Sequence, residues 1–539
     1  MSVPSPSPSD EKSAKARLTY IEAEITSLTQ KLATLTSERD ELRRSEANTL
    51  LEIAELPADP ADTNSTTIHS LPTELLQEIF RRCLRKHPIM DAAEPPLLLG
   101  RVCSSWRSIS LQAPELWASL HLVIPRSIPY PESQPELYEQ MRTGFEYWLV
   151  HLGALPLDLS LRAEERREDE SQMVYSQIQW VLEKSRTRWK HLAVYIPSFS
   201  LSIFFDLPAD QKYDFLESIE LGTSDYHTPF QFEHIEFPFL STATTPNLRR
   251  ISFNSFSPDL RKGSFLELLP NITTLTLQRC EHWDINTPEM LVILAACTNL
   301  IHCRISTSER FHPDAQDAVA FVTAHLAHLK SLRIEVCAFR GSPVAAPNFL
   351  NLPDFFTYIV APVLELLDVD GLHHEATADD ASLIALRGFI TRCSHTLRKL
   401  KLRSHLSITS TEVLISCLDL LPSLAELRIK DFDYPWNEAH RPRSPVVTDT
   451  LLEALASGEL CPSLEKLKLD DNFGFTQETL ERLLVTRFTN PGEGVVPLKC
   501  CTISTYRELG PVIKGLEGVK VNKISMYANQ KWSGRSWFD

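Results

Sequence analysis

His373-His374-Glu375, followed by Asp379-Asp380, brings together side chains of the kind that hold metal ions. A metal site needs convergent ligands, and adjacent histidines in a strand-to-helix loop, with no second paired motif, rarely supply them. No metal is expected. Bond-making chemistry is no better served. There is no H-E-x-x-H, no phosphate-binding loop and no nucleophile elbow, and Gly492-Glu493-Gly494 lacks the third glycine and the helix of a dinucleotide motif. No catalytic residue and no cofactor are expected. The residues that can do chemistry are cations: Arg304, Arg333, Lys401, Arg403, Arg428, Lys430 and Lys468. Guanidinium and ammonium groups pair with carboxylate and phosphate, so this chemistry is binding, and it suits an acidic or phosphorylated segment of another protein.

A repeat positions these cations. An apolar residue, two others, an apolar residue, one other and an apolar residue recur as Trp189/Leu192/Val194, Leu216/Ile219/Leu221, Leu248/Ile251/Phe253, Ile272/Leu275/Leu277, Leu300/Cys303/Ile305, Leu329/Leu332/Ile334, Leu364/Leu367/Val369, Leu397/Leu400/Leu402, Leu424/Leu427/Ile429 and Leu464/Leu467/Leu469. Each triplet reads as a strand, announced by phrases such as Pro246-Asn247-Leu248 and Pro462-Ser463-Leu464. Helical stretches lie between them, for example 411–421 and 476–484, where Thr476 can cap. The alternation of Leu155 to Leu161 adds an earlier strand. A strand and a helix of this size bury their apolar faces only by stacking on neighbouring copies.

The L-x-x-L-x-L pattern resembles leucine-rich repeats, although its first positions fall 24 to 40 residues apart, against about 20 to 29 in that class. The resemblance implies an irregular α/β solenoid over residues 155–526 with its strands on the concave side. The single residue between the last two apolar positions of each unit then faces that surface. In chain order these residues are Ala193, Glu220, Ser252, Thr276, Arg304, Arg333, Asp368, Lys401, Arg428 and Lys468. Lys399, Arg403, Lys430 and Lys466 flank them, which predicts a basic stripe in the C-terminal half.

A different pattern precedes the repeats. In Leu71-Pro72-Thr73-Glu74-Leu75-Leu76-Gln77-Glu78-Ile79-Phe80, Pro72 suits a helix start because its fixed φ fits the first turn and its missing N–H has no partner there. Leu75, Leu76, Ile79, Phe80, Cys83 and Leu84 then share one apolar stripe. A second helix carries Leu99, Val102, Cys103 and Trp106 on one face, and a third piece, Pro114 to Leu120, adds Leu116 and Trp117. Three such helices cannot bury all these side chains among themselves, so part of the stripe should face a partner. The segment 67–122 resembles the F-box, most closely that of F-box proteins from mushroom-forming fungi. The resemblance implies an all-α module docking on the Skp adaptor, and through it on a cullin. Its contact positions would be Leu71, Pro72, Leu75, Leu76, Ile79, Phe80, Val102, Cys103, Trp106, Leu116 and Trp117.

The remaining segments are a Ser/Pro tail (1–16), an amphipathic helix (17–55), a linker (56–66), a connecting helical segment (123–154) and an aromatic C-terminal tail (527–539), expected to cap the last repeat or, alternatively, to lie against the concave face. Leu18, Ile21, Ile25, Leu28, Leu32, Leu35 and Leu42 form the seam of a coiled coil, which predicts self-association. A net charge of -16 argues against a nucleic-acid or membrane surface. With neither an apolar run of transmembrane length nor a signal peptide, an intracellular protein, cytoplasmic or nuclear, is expected. The 11 cysteines include no C-x-x-C and read as reduced, buried thiols. An F-box followed by a leucine-rich-repeat-like region implies a non-catalytic substrate receptor of a ubiquitin ligase. The alternative is a repeat scaffold that serves no ligase.

Overall fold

Each of the ten apolar triplets becomes a strand, and they stand side by side in one parallel sheet. The computed structural model describes residues 30, 34, 37, 41, 68, 71–124, 134–163, 171–224, 237–255, 264–280, 287–308, 321–337, 352–370, 381–404, 411–431, 447–471, 474–505, 513 and 515–523. The chain divides into two units, Met1–Leu75 and Leu76–Asp539.

In the first unit, Gln30, Thr34, Ser37 and Glu41 are helical and exposed, and their spacing puts them on one polar face. The apolar seam from Leu18 to Leu42 and the linker lie outside the described residues, as does the C-terminal tail of the chain.

The second unit contains a sheet of 14 strands whose spatial order is the chain order. They are β1 Ser119–Val123, β2 Leu157–Arg162, β3 Trp189–Ile196, β4 Ser218–Thr223, β5 Arg250–Asn254, β6 Thr274–Cys280, β7 His302–Ser308, β8 Ser331–Cys337, β9 Leu366–Asp370, β10 Lys399–Ser404, β11 Glu426–Asp431, β12 Lys466–Asp471, β13 Cys500–Thr505 and β14 Val519–Lys523. Parallel neighbours need crossovers, and helices supply many of them. Those used below are α4 Gln134–Leu152, α8 Leu352–Tyr358, α9 Ala381–Cys393, α11 Asp449–Ser457 and α12 Gln477–Thr489. Between β4 and β5 no α-helix occurs among the described residues, and aromatic rings fill the layer. Phe237 stacks on Phe253 at 5.9 Å and packs edge-on against Phe239 at 6.2 Å.

Register follows the triplets. Ile219 pairs with Ile251, Leu367 with Leu400 and Leu427 with Leu467, so like positions line up from strand to strand. The last two apolar residues of each triplet point to one face and are buried, while the residue between them points to the other. Each fully buried Leu contributes about 1.5–3 kcal/mol by leaving water. At the strand starts from β5 to β13 one carbonyl ties two repeats together: Arg249 O accepts from Thr273 N and Thr274 N, Lys330 O from Glu365 N and Leu366 N, and Arg398 O from Ala425 N and Glu426 N. The α11 helix stops at Gly458 (φ +81), where a side chain would also collide with Val495.

Two helical expectations are corrected. The continuous helix through Leu99 and Trp106 breaks at Cys103, which is extended (φ -157, ψ 171). Its Sγ accepts from the Trp106 N–H at 3.4 Å and so caps a new helix. The third piece is one 3-10 turn, Pro114–Trp117, that leads directly into β1.

Candidate docking sites

The helical segment before the sheet opens with α1, Thr73–Cys83, with Glu74 in its first turn and Arg81 and Arg82 in its last, as the helix dipole favours. The capped break at Cys103 separates α2 (Leu99–Val102) from α3 (Ser104–Leu111). The loop from Arg85 is closed by an Arg85–Glu94 pair at 2.9 Å, and its Pro88 carbonyl accepts from His121 N of β1 at 2.7 Å.

The positions matched to an F-box divide by burial. Leu76, Phe80, Leu116 and Trp117 are buried, and Phe80 packs on Trp106 with ring centroids 4.8 Å apart. Trp117 is a structural hinge pin. Its Nε1 donates to Ser110 O at 3.0 Å, its own carbonyl accepts from Trp148 Nε1 of α4 at 2.7 Å, and the two rings meet edge to face. Cys103 and Trp106 are half-buried. In contrast, Ile79 is 37% and Val102 56% exposed, and so is Leu98, at 38%, which the pattern reading passed over in the run Leu97-Leu98-Leu99. In the unit ending at Leu75, Leu75 is 52% exposed, Pro72 is exposed and Leu71 half-buried.

The predicted basic stripe is aligned by register. Arg304, Arg333, Asp368, Lys401, Arg428 and Lys468 occupy one row across β7 to β12, and Arg403 and Lys430 stand side by side in the next row. Several of these cations meet a carboxylate from a neighbouring row. Arg304 lies 3.5 Å from Glu335 and Lys401 3.5 Å from Glu426, while Arg428 and Lys468 both reach Asp470, at 2.8 and 3.7 Å. Asp368, at 4% exposure, interrupts the row.

The sheet has cations that the sequence reading did not single out. Arg249, Lys330 and Arg398 follow the first apolar position of their triplets and stand at strand starts. Reading that column of the repeat, as the strand-centre column was read, finds them.

His373, His374, Glu375, Asp379 and Asp380 lie outside the described residues, among which no cluster of metal-ligating side chains occurs. No described helix is long and apolar enough to cross a membrane. Cys83, Cys103, Cys297, Cys303, Cys393, Cys417, Cys461, Cys500 and Cys501 are free thiols, and burial pushes those of Cys297, Cys393 and Cys461 up to about 12. Such thiols stay protonated and poorly nucleophilic.

No known family's sequence profile matches the chain, and no curated protein matches it. Among solved structures, the chain is similar to the one described as the crystal structure of the Rad7 and Elc1 complex in yeast. The identity is 14%, over 85% of this chain and 94% of that chain, with a TM-score of 0.37. The fold is a mixed α/β repeat built on one long parallel sheet.

Proposed function

We propose that the chain is a non-catalytic target receptor of a Skp-cullin-F-box ubiquitin ligase, working in the cytoplasm or nucleus. One observation carries this reading: a helical segment with a finished aromatic core still displays Ile79, Leu98 and Val102 to solvent. Apolar side chains that the fold does not use are the usual means of holding a partner. Their positions belong to the segment resembling an F-box, so the partner proposed is the Skp adaptor, with a cullin beyond it. The repeats then hold a target protein. Ligation follows from proximity, because tethering target and charged ubiquitin carrier in one assembly raises their effective concentration.

Co-purification of the full chain with Skp adaptor and cullin tests the proposal, against an Ile79→Glu/Val102→Glu variant whose fold is checked by circular dichroism. Both side chains are exposed, so the variant should fold. Capture of both partners by the native chain and its loss in the variant are expected. A folded native chain that captures neither partner overturns the reading and leaves a repeat scaffold outside any ligase.

A further inference from the structure

Arg249, Lys330 and Arg398 stand just before β5, β8 and β10 and line one open groove of about 960 Å³ along the edge of the sheet where strands begin. Ile301 and Val363 give it apolar lining, and Asn271, Asn299, His328 and His395 add hydrogen-bonding groups. In a chain of net charge -16, this groove holds three permanent cations against one carboxylate, Glu365, which pairs with Lys330 at 3.3 Å.

The two arginines are fixed but not neutralised. Arg249 Nη1 donates to Pro246 O and Leu248 O at 3.0 and 2.9 Å, and Arg398 Nη1 donates to Ser423 O at 3.0 Å. Among the described residues, neither guanidinium has a carboxylate at ion-pair distance. Arg428 on the strand face differs, since it already holds Asp470. An anion that docks on Arg428 must displace an internal partner, whereas one that docks on Arg249 or Arg398 displaces only water. Holding a guanidinium in place before binding also reduces the entropy lost on docking.

The spacing defines the ligand. From β5 to β10 the groove crosses five strand intervals of about 4.8 Å, or about 24 Å, which an extended peptide spans with about seven residues at about 3.3 Å each. The cations stand at the first, fourth and sixth strands, about 14 and then about 10 Å apart. One phosphate group cannot bridge such distances, but carboxylates about four and then three residues apart can meet each cation in turn.

We propose that this groove docks an extended, Asp/Glu-rich segment of a target protein, with carboxylates on Arg249 and Arg398 and a third on Lys330, whose exposed ammonium has donors left beside Glu365. The proposal rests on the receptor reading only for the source of the peptide, since binding itself involves no ligase.

Fluorescence anisotropy with the full chain and a labelled peptide of eight glutamates tests it, with eight lysines as the control. The acidic peptide should bind, weaken as salt is raised, and lose at least about tenfold in affinity with Arg249→Glu/Lys330→Glu/Arg398→Glu. Because the two arginines also hold turn carbonyls, His328→Glu/Lys330→Glu provides a second variant that leaves those bonds alone, and it too should weaken binding. Arg333→Glu/Lys468→Glu, on the strand face, should not. Absence of binding, binding as tight as the native chain's by both groove variants, or loss only in the face variant overturns the proposal. Adaptor capture by the same proteins reports separately on the receptor reading.

Discussion

Arg428 of β11 holds Asp470 of β12 through two donors on one oxygen, with Nε and Nη2 at 3.0 and 2.8 Å from Oδ2. The carboxylate is 6% exposed and is also approached by Lys468. Two cations that looked available for a ligand are thus part of the sheet's own electrostatics. Asp470→Ala leaves Arg428 without its acceptor in a partly buried position, and a loss of about 1–3 kcal/mol is expected. Urea denaturation measures it, and a double-mutant cycle with Arg428→Ala should give a coupling above about 0.5 kcal/mol. Additive single effects would show that the contact does not stabilise the fold.

Adjacent residues on α1 should respond very differently to truncation. Phe80 is fully buried against Trp106, so Phe80→Ala removes a ring and leaves a cavity, at a cost of about 3–5 kcal/mol. Ile79 is 37% exposed and Ile79→Ala should cost under about 1 kcal/mol. Thermal denaturation of the two variants checks this. Equal losses would mean that the Ile79 side chain is part of the core and cannot be the face offered to an adaptor.

These two cases mark what the sequence could reveal. The L-x-x-L-x-L triplets located ten strands and their register, because inward apolar positions and strand alignment are the same information. Three further strands carry the pattern unrecognised: Trp117/Leu120/Leu122 in β1, Leu498/Cys501/Ile503 in β13 and Leu516/Val519/Val521 in β14. Trp117 follows Pro114 in a helix-like phrase, which masks that it opens a triplet as Trp189 does. The pairing of Arg428 with Asp470 was not legible, since the two are 42 residues apart and meet only once register is fixed. Nor does spacing along one helix distinguish Ile79 from Phe80, because burial depends on which neighbours arrive later in the chain.

Stability near neutral pH should depend on His121, in the row facing away from the apolar core. Its Nδ1 lies 2.8 Å from Ser160 Oγ, and burial, then the nearby His87 and Arg162, hold its pKa below the ordinary 6.5. The unfolded chain therefore takes up this proton more readily than the folded one. Its contribution is fully present above pH 6.5, declines as the pH falls from there toward the lower folded value, and levels off below both. Melting temperatures at stepped pH between about 7.5 and 5.5 should drop more for the native chain than for His121→Gln. His191 is shifted the same way, chiefly by burial, so part of the slope should persist in the variant. Coincident slopes would remove His121 as a cause.

Arg487, on α12, is wholly buried with no carboxylate partner among the described residues. Its charge is met by carbonyl dipoles: Nη1 donates to Leu455 O of α11 at 3.0 Å, and Nη2 to Leu464 O and Val496 O at 3.0 and 3.2 Å. Arg188 and Arg392 make the same kind of contact, with the Leu149 carbonyl of α4 and with Phe356 O of α8 and Ile359 O. An arginine from one repeat thus repeatedly satisfies carbonyls where the helix before it ends. Arg487→Met conserves much of the volume but strands those acceptors, and at about 1–3 kcal/mol for each unsatisfied group the loss should exceed about 2 kcal/mol. Arg487→Lys keeps the charge yet cannot reproduce the planar fork, so it should also destabilise. Equilibrium urea unfolding separates the outcomes. A methionine variant as stable as the native chain would show that the desolvation of this cation cancels the bonds it makes.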